Sequence, residues 1–239
     1  MKSIIKIFII GLLVFGLVGC SSSEVSPDSL EETIPEQNQK TSEKEIPDEP
    51  EEIDTKNEAI KYQKNIGPED AELVKIYVDF SEELSATIAG FNSQKEETIK
   101  TSVEDWQPQL PKLLELAKEN EIRLEFKHFP LSENKNSFLA AQAAEEANKQ
   151  GNFWQYHDLL LQNQNDLSRA NLLELAKTAN LDLEKFNHAL DYEIHASTIQ
   201  KDIQDGSDDK IFGIPTIFLK GKEFNALQPY YEIEDELSE

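Results

Sequence analysis

From Ser21 to Lys61 the chain carries no aromatic residue, while Pro27, Pro35, Pro47, Pro50 and repeated Glu and Ser punctuate it. A stretch of that composition cannot bury enough apolar surface to offset the entropy of ordering it, so any packed core has to come from the residues C-terminal to it. We read residues 20–68 as an acidic, self-repelling tether and residues 69–239, about 170 in all, as one domain with a sizeable core. At a random-coil reach of roughly 5–6 Å times the square root of its length, the tether holds that domain tens of Å from its starting point. A docking segment, or weak cation capture by Glu49, Glu51, Glu52 and Asp54, is the functional alternative for this stretch.

The formal net charge is −24, and the acidic excess continues into the domain. Nucleic acid and an anionic lipid surface both require basic patches, so neither is an expected partner. Screening over about 8 Å leaves the charge acting locally, as a solubility term and a mild filter against acidic partners.

Residues 1–19 read as an export signal: Lys2 and Lys6, then an apolar run from Ile7 to Val18 that is too short to span a bilayer comfortably. Leu17-Val18-Gly19-Cys20, followed by Ser21-Ser22-Ser23, resembles the bacterial lipobox. That resemblance implies cleavage before Cys20, lipidation of its thiol, and an extracytoplasmic protein anchored to the bacterial cell membrane. The plainer reading is a secretory signal with a chance cysteine. Cys20 is the only cysteine in the chain, so everything after it has to work without thiol chemistry.

Within the domain, Lys75–Phe80 is a β-rich strand signal, and Leu110, Leu113, Leu114 and Ala117 recur at helical spacing. Ile122–Phe129 then alternates apolar with polar and is closed by Pro130. Strand, helix, strand at this spacing predicts a right-handed parallel crossover. A helical block comes next, over about residues 137–208, with breaks at Gly151-Asn152, Asn165–Ser168 and Asn180–Asp182, and with Ser168 and Asp182 as N-caps. Ile214–Leu219 is a third strand entered through Pro215, Glu223-Phe224 a short fourth, and an acidic helix opens after Gln228. The expected fold class is α/β, a thioredoxin-like fold with a helical domain inserted between its βαβ and ββα halves.

Val78-Asp79-Phe80-Ser81, Lys127–Leu131, Ala140–Glu145, Gly151–Asp158, Ile199–Asp202 and Gly213–Phe218 resemble, in order, segments of the DsbA-like thioredoxin family of exported bacterial thiol-disulfide oxidoreductases. In that family the first strand runs into a Cys-x-x-Cys at the start of the first helix. The matching stretch here is Phe80–Ile88, which puts Ser85 and Ile88 at the cysteine positions, and no shift of register recovers a cysteine. Exchange needs a thiolate to attack a disulfide sulfur. The resemblance therefore implies a member without the catalytic pair and assigns no catalytic residue.

What it leaves is a groove formed by Ser85, Ala86, Thr87, Ile88, Ile214 and Pro215, where Pro215 is similar to the family's cis-proline and would leave the backbone before it open to an extended extracytoplasmic peptide or protein. The alternatives are an accessory role in a thiol-disulfide pathway and a Ser85-dependent thiol transferase, as in the related kappa-class glutathione transferases. A serine nucleophile needs an adjacent base, for which His128 is the candidate by location; Ser85 as a helix N-cap is the structural reading. No cofactor is implied. No metal is expected either, because His157, His188 and His195 have no ligand-like spacing. About ten residues beyond the family's usual length lie between Phe91 and Trp106, and Ser93-x-x-Glu96 reads there as a capping box opening an extra helix.

Overall fold

The computed structural model describes residues 63–131 and 135–239; the leader, Cys20 and nearly all of the tether lie outside them. Four strands form one sheet in the order β2-β1-β3-β4: β1 (Glu72–Val78), β2 (Ile122–His128), β3 (Thr216–Leu219) and β4 (Lys222–Asn225). β1 and β2 are parallel, in register from Glu72 opposite Ile122 to Val78 opposite His128. β3 runs antiparallel to β1, with Tyr77 opposite Thr216, and β4 antiparallel to β3. The alternation in Ile122–His128 has a direct counterpart, since Ile122, Leu124, Phe126 and His128 are buried and the residues between them are half-exposed.

Helices α1 (Glu83–Ile88), α2 (Ser93–Lys100) and α3 (Gln109–Lys118) connect β1 to β2. The extra segment does form a helix, but the cap lies one residue earlier than the sequence pattern indicates: Asn92, not Ser93, accepts the Lys95 backbone N–H. Trp106 closes the segment against the sheet by donating its indole N–H to the Ala226 carbonyl at 2.8 Å.

The inserted block comprises α4 (Lys135–Lys149), α5 (Phe153–Gln162), α6 (Arg169–Thr178), α7 (Leu183–Asp191) and α8 (Ala196–Asp208), and α9 (Tyr231–Ser238) ends the chain. Ser168 and Asp182 cap α6 and α7 as expected. Phe153, Tyr156 and Leu160 on α5 are fully buried, and Phe153 packs edge-to-face on Phe126 of β2 with ring centroids 5.0 Å apart. Among the described residues no helix is long and apolar enough to cross a membrane.

Residues 63–67, assigned to the tether by composition, lie against the domain. Ile66 is buried and exchanges backbone hydrogen bonds with Leu124 of β2, at 3.0 and 2.8 Å. The Asn65 side chain accepts the Phe126 N–H, and Trp154 donates to the Gln63 carbonyl. Gly67 makes the turn into β1 at φ +98°, where a Cβ would sit 2.0 Å from the Ile122 carbonyl oxygen.

Candidate functional site

The strand register brings the expected groove segments to one end of the sheet. β1 runs from Tyr77 through Val78 into Asp79, Phe80 and α1; β3 begins at Thr216, opposite Tyr77, directly after Ile214 and Pro215; β2 ends there at His128, opposite Val78. The Ile214–Pro215 peptide bond is cis. Polar contacts fix the chain around it. Asp79, itself buried, accepts the Ser81 and Leu131 N–H groups, each at 2.8 Å, and so joins the ends of β1 and β2. Gln164, after α5, donates to the carbonyls of Phe80 and Glu82, both at 2.7 Å, and holds the turn into α1. Thr216 donates its hydroxyl to the Gly213 carbonyl at 2.7 Å, closing the loop over Pro215.

Within that frame the two positions that the resemblance matches to the cysteine pair face inward. Ser85 and Ile88 are each 1% exposed, and Ala86, Thr87 and Pro215 are also buried. Ser85 is not the N-cap of α1: the helix begins at Glu83, and the Ser85 hydroxyl is enclosed without a hydrogen-bond partner among the described residues. It therefore has no base, and His128 does not serve it. The accessible surface at this end includes the loop before the proline, where Phe212 is 90% exposed, Gly213 is exposed and Ile214 is half-buried. Of the six groove residues, Ser85, Ala86, Thr87, Ile88 and Pro215 form its packed support and only Ile214 reaches the surface.

A second constellation lies on the side of His128 that faces the inserted helices. His128 is fully buried, and its Nε2 is 3.1 Å from Glu145 Oε1 of α4 in an alignment too poor for a well-formed hydrogen bond. Its backbone N–H donates to Asp202 Oδ2 of α8 at 3.1 Å. The Lys64 ammonium donates to Glu145 Oε1 and, at 3.0 Å, to Asp202 Oδ2. Burial pushes the His128 imidazole below its usual value, so it is neutral near pH 7. Burial alone would raise the Glu145 carboxyl, but the contacts from His128 and Lys64 outweigh it and hold the group well below the usual carboxylate range.

Sequence reasoning missed this cluster. Glu145 and Asp202 lie in stretches that carried the family resemblance, but Lys64 is 81 and 138 positions from them and sits in a polar stretch with no local signal for burial. His157, His188 and His195 lie apart: His157 is buried in α5 beside Asp158, His188 of α7 lies against Tyr192, and His195 pairs with Glu146 at 2.8 Å ahead of α8.

Residues 104–238 match a family model described as thioredoxin. Among solved structures, oxidised BdbD from Bacillus subtilis is 26% identical, aligns over 75% of this chain and 92% of its own, and superposes with a TM-score of 0.56. The thiol-disulfide exchange protein alpha-DsbA2 from Wolbachia pipientis is 16% identical, aligned over 77% of this chain and 91% of its own, with a TM-score of 0.54, a likeness of fold. Among curated proteins, the Na+/H+ antiporter NhaA 3 of Salinispora tropica is 36% identical over 110 residues, 46% of this chain and 17% of the antiporter. The NhaA 1 protein of Salinispora arenicola is 41% identical over 103 residues, 42% of this chain and 16% of its own. This chain spans less than a fifth of the length of those relatives.

Proposed function

The chain belongs to the thioredoxin family, within it resembles DsbA-like thiol-disulfide oxidoreductases, and on that footing we propose that it is a lipid-anchored extracytoplasmic protein that binds a peptide or protein partner without redox chemistry. The observation that carries this reading is that no cysteine follows Cys20, while Ser85 and Ile88, which the resemblance matches to the cysteine pair, are both enclosed. Thiolate attack on a disulfide has no nucleophile in such a domain. The loop Phe212-Gly213-Ile214 ahead of cis-Pro215 supports the binding half, because it offers an exposed aromatic ring beside a turn that the Phe212–Glu223 and Thr216–Gly213 hydrogen bonds hold in place.

The test is capture from the native envelope with a photoreactive side chain at position 212, against a control at exposed Glu184. A discrete partner from 212 alone supports the proposal; equal labelling from both positions, or none from 212, refutes it. Separately, insulin reduction by the purified protein is expected to match the uncatalysed rate, and measurable turnover would overturn the redox-inactive reading.

A further inference from the structure

The cluster around Lys64 has the donors and the burial of a metal site, with an ammonium in the middle. His128, Glu145 and Asp202 are all buried, and one ligand atom from each lies within 4.8 Å of the others. Each comes from a different packed element, β2, α4 and α8, so the geometry is set by the fold and not by a flexible loop. The charges within it do not cancel. Glu145 and Asp202 contribute two negative charges and Lys64 returns one. Lys127, 3.5 Å from the other oxygen of Asp202, is shared with Asp205 at 2.8 Å and Glu125 at 3.4 Å, and Arg123 takes Glu125 at 2.9 Å. Asn148, a neutral donor, completes the surroundings through Glu145 Oε2. Within the cage itself two carboxylates face the one Lys64 ammonium, Lys127 being shared outward, and His128 keeps a ring nitrogen facing Glu145 without a well-formed hydrogen bond. A buried, partly compensated anionic site with an available imidazole favours a cation of higher charge than Lys64 provides.

We propose that His128, Glu145 and Asp202 form a cation-binding cage that accepts either the Lys64 ammonium or, when that side chain swings out, one divalent metal ion suited to mixed imidazole and carboxylate donors. The imidazole suits zinc-like ions over magnesium and calcium, and the two carboxylates also admit manganese. Metal–ligand bonds of about 2.0–2.2 Å require the three donors to close in by roughly an ångström, within the reach of side-chain rotation. Lys64 is thus an ion carried by the chain itself. Its presence holds the segment 63–66 on the edge of β2, and a metal ion competes with that attachment.

The experiment uses the full chain, the probes Mn2+ and Zn2+, and millimolar Mg2+ throughout to occupy surface carboxylates. Lys64→Met keeps the apolar stem and removes the charge. It is expected to bind one probe ion per chain at least tenfold more tightly than the unmutated protein, with a thermal midpoint that rises on adding the ion. The double variant Lys64→Met/Glu145→Gln is expected to lose that gain. Uptake by Lys64→Met no stronger than by the unmutated chain overturns the proposal, as does a gain that survives Glu145→Gln. If Lys64→Met unfolds without metal, folding on addition of Zn2+ supports the cage and continued disorder at saturating Zn2+ refutes it.

Discussion

Gly206, in the last turns of α8, shows how closely that helix lies on the sheet: a Cβ there would come within 2.5 Å of the Phe129 ring and 3.1 Å of the Tyr77 ring. Both rings are held in place, the Tyr77 hydroxyl by a 2.6 Å hydrogen bond to Asp209 and Phe129 by edge-to-face packing on Tyr77. Gly206→Ala is therefore expected to lower stability by about 1–3 kcal/mol, the usual cost of overpacking a close contact; an unchanged urea midpoint would show that α8 can shift. Two apolar residues near the candidate groove should behave oppositely. Ile88→Ala, in the core, is expected to cost about 2–5 kcal/mol. Phe212→Ala, 90% exposed, should stay within about 0.5 kcal/mol of the parent while weakening partner capture.

At the scale of elements, α8 works through one row of acids. Asp202 meets Lys64 and Lys127, Asp205 meets Lys127, and Asp209, which ends the helix, meets Lys75 at 2.7 Å. The row joins α8 to β1, to β2 and to the segment before β1. Asp202→Asn leaves the Lys64 ammonium with one buried partner, and the expected loss is about 3–5 kcal/mol, read from denaturant unfolding. A loss below about 1 kcal/mol, the scale of an exposed pair, would mean that the row contributes little to holding α8 in place.

The elements themselves were largely legible in the sequence. Period-two alternation gave β2, Ser168 and Asp182 gave two helix starts, and the order of segments gave the insertion. What was not legible depended on partners far along the chain. Lys64 reads as tether because its neighbours are mostly polar, and the partners that hold it, Glu145, Asp202 and Asn148, lie far along the chain. Ser85 reads as a cap because its side chain suits one, whereas the packing of α1 begins the helix two residues earlier and encloses the hydroxyl. The residues named for a groove do gather at one end of the sheet, but their burial was invisible because sequence pattern shows which residues cluster and not which of them remain open.

For the whole molecule, the buried cluster sets the response to acid. The folded His128 has a value below that of the unfolded chain, so as pH falls through about 6.5 the unfolded state takes up a proton that the folded state refuses. Its contribution is present above that pH and is lost below it. Glu145, also depressed, adds a second loss that begins below about pH 4.3. The urea midpoint is expected to fall between about pH 7 and 5.5, the interval around the unfolded imidazole value, and His128→Gln should flatten that fall. A midpoint unchanged over the interval in the parent would contradict this assignment.

The short segment laid along β2 has one more consequence, for the company the protein keeps. β2 is an outer strand, and its Leu124 and Phe126 N–H groups are already satisfied by Ile66 and Asn65. An outer strand with open amides recruits another strand. With that stretch of edge occupied, and Lys222 and Glu223 projecting from β4 at the other, edge-to-edge joining of copies into a continuous ribbon is disfavoured.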